Sequence, residues 1–260
     1  MKIVSSSRAM QQLSQGWHRA GESVGFVPTM GALHRGHMTL VEKARRENDR
    51  VVVSIYVNPT QFGPKEDLNK YPRPRREDLA LCRAAGVDAV LAPTTLYPAD
   101  FSTWVEETML SKGRCAVSRP IHFRGVATVV LKLFNIALPD RAYFGRKDAQ
   151  QVDVIERMVR DLDVPVKVIP VETVRDADGL ALSSRNRYLS PEERQQALAF
   201  PRLLLQASQQ KQPESWLRQA LRRVAGVKLD YVELANGRLC AAVWVGKTRL
   251  IDNRPVRRKR

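Results

Sequence analysis

Three features of the chain predict an α/β fold, with a parallel sheet carrying helices on both faces and a smaller α+β domain after it. Short apolar runs rich in β-branched residues recur as far as Val171. Amphipathic helical patterns separate them at the spacing of βαβ crossovers, the connections that parallel strands need. Beyond Val171 the alternation gives way to a polar segment, then to helices and a hairpin.

Residues 22–27 and 51–57 (Val-Val-Val-Ser-Ile-Tyr-Val) read as strands because they are apolar, β-branched and bounded by turn residues. Between them Met38, Leu40, Val41 and Ala44 share one helical face, and Lys43, Arg45, Arg46 and Glu47 share the other. The alternation continues with a helix over 76–85, a strand over 87–92, a helix over 125–137 and a strand over 142–144. A helix over 148–162 and a strand over 164–171 complete it. Nearly continuous apolar strands separated by helices imply a Rossmann-like parallel sheet covered on both faces. A polar, Gly-containing segment over 173–187 then leads to Ser190-Pro-Glu-Glu193. There Ser190 is an N-cap, Pro191 the first helical residue and Glu193 the capping-box partner. Pro201 is expected to break or kink that helix, since it lacks an N–H and crowds the preceding turn. Another amphipathic helix covers 214–225, and strands over 229–234 and 239–245 flank Ala-Asn-Gly-Arg, a hairpin turn. The boundary is placed near residue 173, giving a larger domain over 1–173 and a smaller one over 174–260.

Composition narrows the function classes. With 260 residues, 43% hydrophobic and 27% charged, the chain has enough apolar surface to offset ordering entropy, which excludes a disordered protein. The excess of 43 Lys+Arg over 27 Asp+Glu gives a net charge of +16 and calls for an anionic partner, either a phosphate-bearing small molecule or a nucleic acid. Part of that charge sits in the tail Arg254-Pro-Val-Arg-Arg-Lys-Arg260, which reads as a solvated end, and part in Lys70-Tyr-Pro-Arg-Pro-Arg-Arg76, a loop before a helix. Cys82, Cys115 and Cys240 form no Cys-x-x-Cys pair, so neither a disulfide framework nor a zinc ribbon is expected. Residues 5–8 break any apolar run after Lys2, and no run approaches the length of a membrane helix. The expectation is a cytoplasmic protein with no membrane partner.

Five segments carry candidate chemistry. In Pro28-Thr-Met-Gly-Ala-Leu-His-Arg-Gly-His37, two of the four histidines lie where the first strand hands over to a helix. Helix N-terminal N–H groups favour phosphate, Gly36 permits close approach and the imidazoles add donors. Zinc is the rival, but His-x-x-His without neighbouring acid or Cys is short of a ligand set. Asn58-Pro-Thr-Gln-Phe-Gly-Pro64 follows the second strand, where parallel sheets bind ligands, and its amides suit hydroxyls or a carboxylate. Arg119-Pro-Ile-His-Phe-Arg-Gly125 is the third. In Phe144-Gly-Arg-Lys-Asp-Ala-Gln-Gln151, Lys147 is placed to reach phosphates, with Gln151 one helical turn later on the same side. Asp178-Gly-Leu-Ala-Leu-Ser-Ser-Arg-Asn186 reads as a flap able to close on a polyphosphate.

These five segments, with Thr248-Arg-Leu-Ile-Asp-Asn253, occur in the order in which they stand in the pantoate–β-alanine ligases, or pantothenate synthetases. The chain resembles that family from Val24 to Asn253. The His-x-Gly-His element alone marks the wider nucleotidylyltransferase and class I synthetase superfamily, whereas the six together are specific.

The resemblance implies a reaction. ATP and pantoate would form pantoyl adenylate and pyrophosphate, and β-alanine would then attack the acyl carbon to give pantothenate and AMP. No enzyme nucleophile is needed, so catalysis would rest on positioning and charge stabilisation. By motif, His34 and His37 would contact ATP phosphates, with His37 credited as proton donor, and Lys147, Ser183, Ser184 and Arg185 would clasp phosphates. The catalytic set would be His37, His34, Lys147 and Arg185. Met30, Gly31, Gly36, Gly145, Asp148, Val174 and Leu182 would frame the nucleotide. Gln61, Gln151, Asn58, Met30, Arg119 and His122 would hold the substrates, with Gln61 also lying where β-alanine enters. Mg2+ would neutralise ATP oxygens with few protein ligands, and Asp78 with Glu77 matches an acidic pair near the family's site. A homodimer through the N-terminal domain is implied as well.

Two departures from the family pattern stand out. Ile121 occupies a position where the family has Gly, and a positive φ there would strain a β-branched residue by about 1–3 kcal/mol. The connection between Glu233 and Cys240 is short, so lid closure would differ. Other readings are another adenylate-forming or nucleotidyl-transferring enzyme, a catalytically dead scaffold, and a nucleic-acid-binding protein. The last suits the charge, but 7% aromatic residues in mostly apolar contexts stand against stacked bases. The first would share His34-Arg-Gly-His37 without explaining Asn58 to Pro64 together with Arg119 to Gly125.

Overall fold

Successive residues of a strand point to opposite faces of its sheet. In β2 (Val24–Thr29) that sends Val27 into one core and Phe26 into another. Val27 meets Leu40, Val41 and Ala44 of α2 (Arg35–Glu47), Val51 and Val53 of β3 (Arg50–Ile55), and Cys82 of α3 (Arg75–Ala84). Phe26 meets Phe134 of α5 (His122–Ala137) edge to face, and Phe134 does the same with Phe144 of β5 (Arg141–Gly145). Two-sided burial is why these strands read as unbroken apolar runs.

The computed structural model describes residues 1–64, 66 and 68–256, and the chain divides into two compact units. The first comprises Met1–Gly145 and Gln150–Val171. Its remaining elements are β1 (Lys2–Val4), α1 (Ser7–Arg19), β4 (Ala89–Leu91), the single turn α4 (Cys115–Ser118), α6 (Ala149–Asp161) and β6 (Lys167–Val171). All six strands are parallel, in the order β1-β4-β3-β2-β5-β6, with helices on both faces. The order reverses between β2 and β5, a topological switch point where such sheets bind ligands. There the ladder ends at Phe26 and Ala142, two residues before Pro28, whose nitrogen has no hydrogen to donate. Pro170 lies in β6, an edge strand, where a missing donor is tolerated.

The second unit comprises Arg146–Ala149 and Glu172–Arg260. It holds α7 (Pro191–Ala197), α8 (Ala199–Ala207), α9 (Pro213–Arg222) and an antiparallel sheet β7 (Val227–Ala235), β8 (Arg238–Val245) and β9 (Thr248–Pro255). Ser190 and Glu193 form the expected capping box at α7. The helix breaks at Leu198, three residues before Pro201. Asn236 and Gly237 both have positive φ, 49° and 72°, the pairing that turns β7 into β8 within two residues. Leu204, Leu217, Leu221, Leu239 and Val243 form its core.

Several sequence expectations shift. β1 and α1 stand ahead of the first expected strand. The helix expected over 125–137 begins at His122, one turn earlier. The strand expected from 164 begins at Lys167, because Asp163 has a left-handed φ and Pro165 follows it. β9, a full strand, was expected only as a motif. Residues 257–260 of the basic tail lie outside the described residues. Among the described residues, no helix is long and apolar enough to cross a membrane.

All three cysteines are buried, and burial pushes the Cys82 thiol up to about 11, with Asp78 adding to the effect. At about pH 8 the folded protein should therefore label with a disulfide reagent far more slowly than the unfolded chain. Stopped-time labelling with mass spectrometry checks this at Cys82.

Candidate active site

In the first unit, the loop from β2 into α2 turns on Gly31 and Ala32, with φ of 83° and 49°. Buried Asp78, from α3, holds that turn. Its Oδ2 accepts from the Ala32 N–H at 2.9 Å and its Oδ1 from the Leu33 N–H at 2.7 Å. A Cβ on Gly31 would lie 2.9 Å from the same carboxylate, so Gly31 is needed for both its φ and the space. Thr29 completes the turn, its Oγ1 accepting from Gly31 N and donating to Ser54 O. The two acids of the Asp78–Glu77 pair lie in different settings. Asp78 is occupied by backbone donors, Glu77 is exposed in the first turn of α3, and no cluster of three or more metal-ligating side chains occurs among the described residues.

The loop delivers His34 as the N-cap of α2. His34 Nδ1 accepts from Gly36 N at 3.1 Å, and His37 Nδ1 accepts from His34 N at 3.3 Å, a capping box built from two imidazoles. The rings lie 4.0 Å apart, centroid to centroid. An accepting Nδ1 carries no proton, so each neutral ring bears its single N–H on Nε2. The helix start therefore presents the positive end of its dipole beside two imidazole donors.

The Asn58 turn follows β3. Asn58 Oδ1 accepts from Thr60 N, Thr60 Oγ1 and the Tyr97 hydroxyl, and its Nδ2 donates to Gly125 O and Gln61 Oε1. Gln61 Nε2 lies 2.9 Å from Met30 Sδ, which brings the first two sequence segments together. The third segment joins them from the start of α5 rather than from the end of a strand. His122 Nδ1 donates to Gln61 O at 3.0 Å, because a carbonyl only accepts. Its Nε2 then accepts from Arg119 Nη1 at 3.2 Å, because a guanidinium only donates. Arg119 also grips Gln61 O and the Glu66 carboxylate, at 3.2 and 2.6 Å, and Glu66 Oε1 accepts from Gly63 N. Burial acts to raise the Glu66 carboxyl, but the hydrogen bond and charge of Arg119 hold it below the usual 4.5. Ile121 has φ −93° and ψ −6°, an ordinary helical conformation, so the anticipated strain is absent. Gln151 is half-buried in the first turn of α6.

Glu66 and Tyr97 were not singled out from sequence. Glu66 stands 53 positions from Arg119, and no local pattern links them.

In the second unit, Lys147 and Asp148 lie in a short 3-10 turn after Gly145, with Lys147 Nζ 3.9 Å from Asp148 Oδ2. Val174 O accepts from Leu182 N, closing the hairpin that leads into Ser183, Ser184 and Arg185. Ser183 caps the turn that follows, its hydroxyl accepting from Arg185 N at 3.3 Å.

A parallel sheet with a histidine-capped helix at its switch point defines a Rossmann-like α/β enzyme. Comparison with known proteins narrows this: a family model described as pantoate-beta-alanine ligase matches residues 2–255. The chain is 50% identical to the pantothenate synthetase of Thermotoga petrophila, over 97% of this chain and 99% of that one. It is 48% identical to that of Moorella thermoacetica, over 97% and 98%. A crystal structure of pantothenate synthetase from Thermus thermophilus superposes with a TM-score of 0.91 at 44% identity, covering 99% of this chain and all of that one. The pantoate-beta-alanine ligase of Francisella tularensis, complexed with beta-gamma ATP and beta-alanine, superposes with a TM-score of 0.87 at 36% identity, over 100% and 99%. The chain belongs to the pantoate–β-alanine ligase family.

Two tests follow from this packing. A Cβ on Gly125 would sit 2.4 Å from Thr60 O and 2.7 Å from Gln61 N. Gly125→Ala should cost about 1–3 kcal/mol by forcing the Asn58 turn off α5, measured by urea unfolding. Because the folded Glu66 carboxyl is lowered, its stabilising contribution is present above pH 4.5 and lost as pH falls through its lower folded value. The stability gap between the parent and Arg119→Ala should therefore be widest near neutrality and narrow under acid, as read by unfolding curves from about pH 7 to pH 3.

Proposed function

We propose that the chain condenses pantoate with β-alanine at the expense of ATP. The observation that carries this reading is the His34–His37 capping box at the switch point, within a family match spanning the described fold. The ligands named for the Francisella tularensis relative support ATP and β-alanine as substrates. In the first step a pantoate carboxylate oxygen attacks the α-phosphorus and pyrophosphate leaves, giving pantoyl adenylate. In the second, the β-alanine amine attacks the acyl carbon, AMP leaves with the bonding electron pair, and the amine loses a proton.

His34 and His37 donate through Nε2 to phosphate oxygens, and His37 stabilises the departing pyrophosphate. This donor role keeps the capping box intact, since protonating Nδ1 would displace the backbone N–H it accepts. Lys147, Ser183, Ser184 and Arg185 bind phosphate, with Gly145, Asp148, Val174 and Leu182 around the nucleotide. Gln61 and Gln151 hold pantoate, with Met30 beside Gln61. Asn58, Arg119 and His122 act through the Gln61 turn they fix, since each bonds to it directly. Mg2+ arrives with ATP and offsets phosphate charge. Asp78 orders the loop that carries His34, each of its oxygens accepting a backbone N–H. The protein works in the cytoplasm as a homodimer.

Incubation with Mg-ATP, pantoate and β-alanine should yield AMP and pyrophosphate, with formation of both dependent on pantoate. ADP and phosphate instead would refute the adenylate route. His37→Ala should cut turnover by about 10²–10³-fold while the protein stays folded, and unchanged turnover would remove His37 from the mechanism.

A further inference from the structure

The motif Thr248-Arg-Leu-Ile-Asp-Asn253 has no part in the chemistry above, yet its last two residues are among the most buried polar groups of the second unit. Asp252 is 3% exposed and Asn253 2%. We propose that Asp252 and Asn253 are positioning residues that together set both phosphate-binding segments of that unit, the Lys147 turn and residues 183–185. The identity of the ligand rests on the reading of ATP chemistry given above.

Asn253 uses the whole of its side-chain amide. Nδ2 donates one hydrogen to Arg146 O at 2.7 Å and the other to Lys147 O at 3.0 Å. Oδ1 accepts from Arg238 Nε at 2.6 Å, so the amide has one orientation that satisfies all three partners. Arg238 is itself held by Glu172, through Nη1 at 3.3 Å and Nη2 at 3.0 Å. These contacts explain why Arg146–Ala149 belongs to the second unit although β5 and most of α6 belong to the first.

Asp252, the preceding residue of β9, holds the other segment. Its two oxygens accept from Arg175 Nη1 and Nη2 at 2.7 and 2.8 Å, a forked pair that fixes the guanidinium plane. Arg175 Nη1 also donates to Gly179 O, and the Arg175 backbone bridges Ala181. The hairpin so held closes through Leu182 N to Val174 O and runs directly into Ser183. One dipeptide on a paired strand thus anchors two segments far apart in sequence, and misplacing a bound group by about 1 Å can cost a hundredfold in rate.

The test compares ATP with adenosine, which lacks the phosphates, by calorimetry on the full chain. Asn253→Asp keeps the shape and the acceptor for Arg238 but replaces both donors with an oxygen facing two carbonyls. It should weaken ATP about tenfold to a hundredfold and leave adenosine within about twofold. The KM for ATP should rise while that for β-alanine holds. Hydrogen exchange should quicken over 146–149 in Asn253→Asp and over 175–185 in Asp252→Asn. Unchanged ATP affinity in a folded variant, or equal losses for ATP and adenosine, would overturn the proposal. If Asn253→Asp does not fold, Asn253→Ser, too short to reach the carbonyls, carries the same comparison. Failure of both to fold would make Asn253 a determinant of the sheet and overturn a positioning role. If the parent binds no ATP, the reading of function fails, and the exchange data alone decide whether the anchor exists.

Discussion

A carboxylate taken out of water must find donors, and Asp78 finds two backbone N–H groups in the loop between β2 and α2. That requirement sets much of what surrounds it. The loop must turn its amides inward, which puts Gly31 and Ala32 at positive φ, and a side chain at Gly31 would meet the carboxylate. The turn brings His34 to the position just before α2, where its ring caps the helix. The nearby thiol of Cys82 feels the same charge and is driven further from ionisation. The geometry of the histidine pair is therefore a consequence of a residue on another helix.

Hydrogen-bond chemistry gives the three site histidines different protons. His34 and His37 accept at Nδ1, whereas His122 donates there and accepts at Nε2 from an arginine. The first two are tuned as outward donors and the third as a link within a network. The arginines divide in the same way. Arg119, Arg175 and Arg194 are paired with Glu66, with Asp252, and with Asp176 and Asp178, so their charge is matched locally. The surplus of +16 is thus a poor guide to which cations meet a ligand.

Most of the sheet was legible because burial on both faces leaves an apolar run in every central strand. Four of the five motif segments were legible as well, since they follow β2, β3, β5 and β6, where parallel strands present ligands, whereas Arg119–Gly125 opens α5. β1 escaped notice because three residues are too few to show a period. α1 has its apolar residues diluted by Ser, Gln and Arg. The networks were the least legible part. Asp78 reads in sequence as one acid in an acidic pair, and only the fold shows that its partners are amides 45 and 46 residues away. Asn253 reads only as the last residue of a motif, and its partners lie 106 and 107 positions back. Side-chain to backbone bonds at such separations leave no periodic trace.

The way the two units share the chain has a consequence for modularity. The polypeptide leaves the first unit after Gly145, gives four residues to the second, returns at Gln150, and leaves again after Val171. Three covalent crossings join the units where a simple two-domain protein has one. A fragment ending at Val171 would carry Arg146–Ala149 without the strand that holds it, and a fragment beginning at Glu172 would lack those four residues. The C-terminal unit is therefore not a cassette that recombination could exchange between relatives by a single splice.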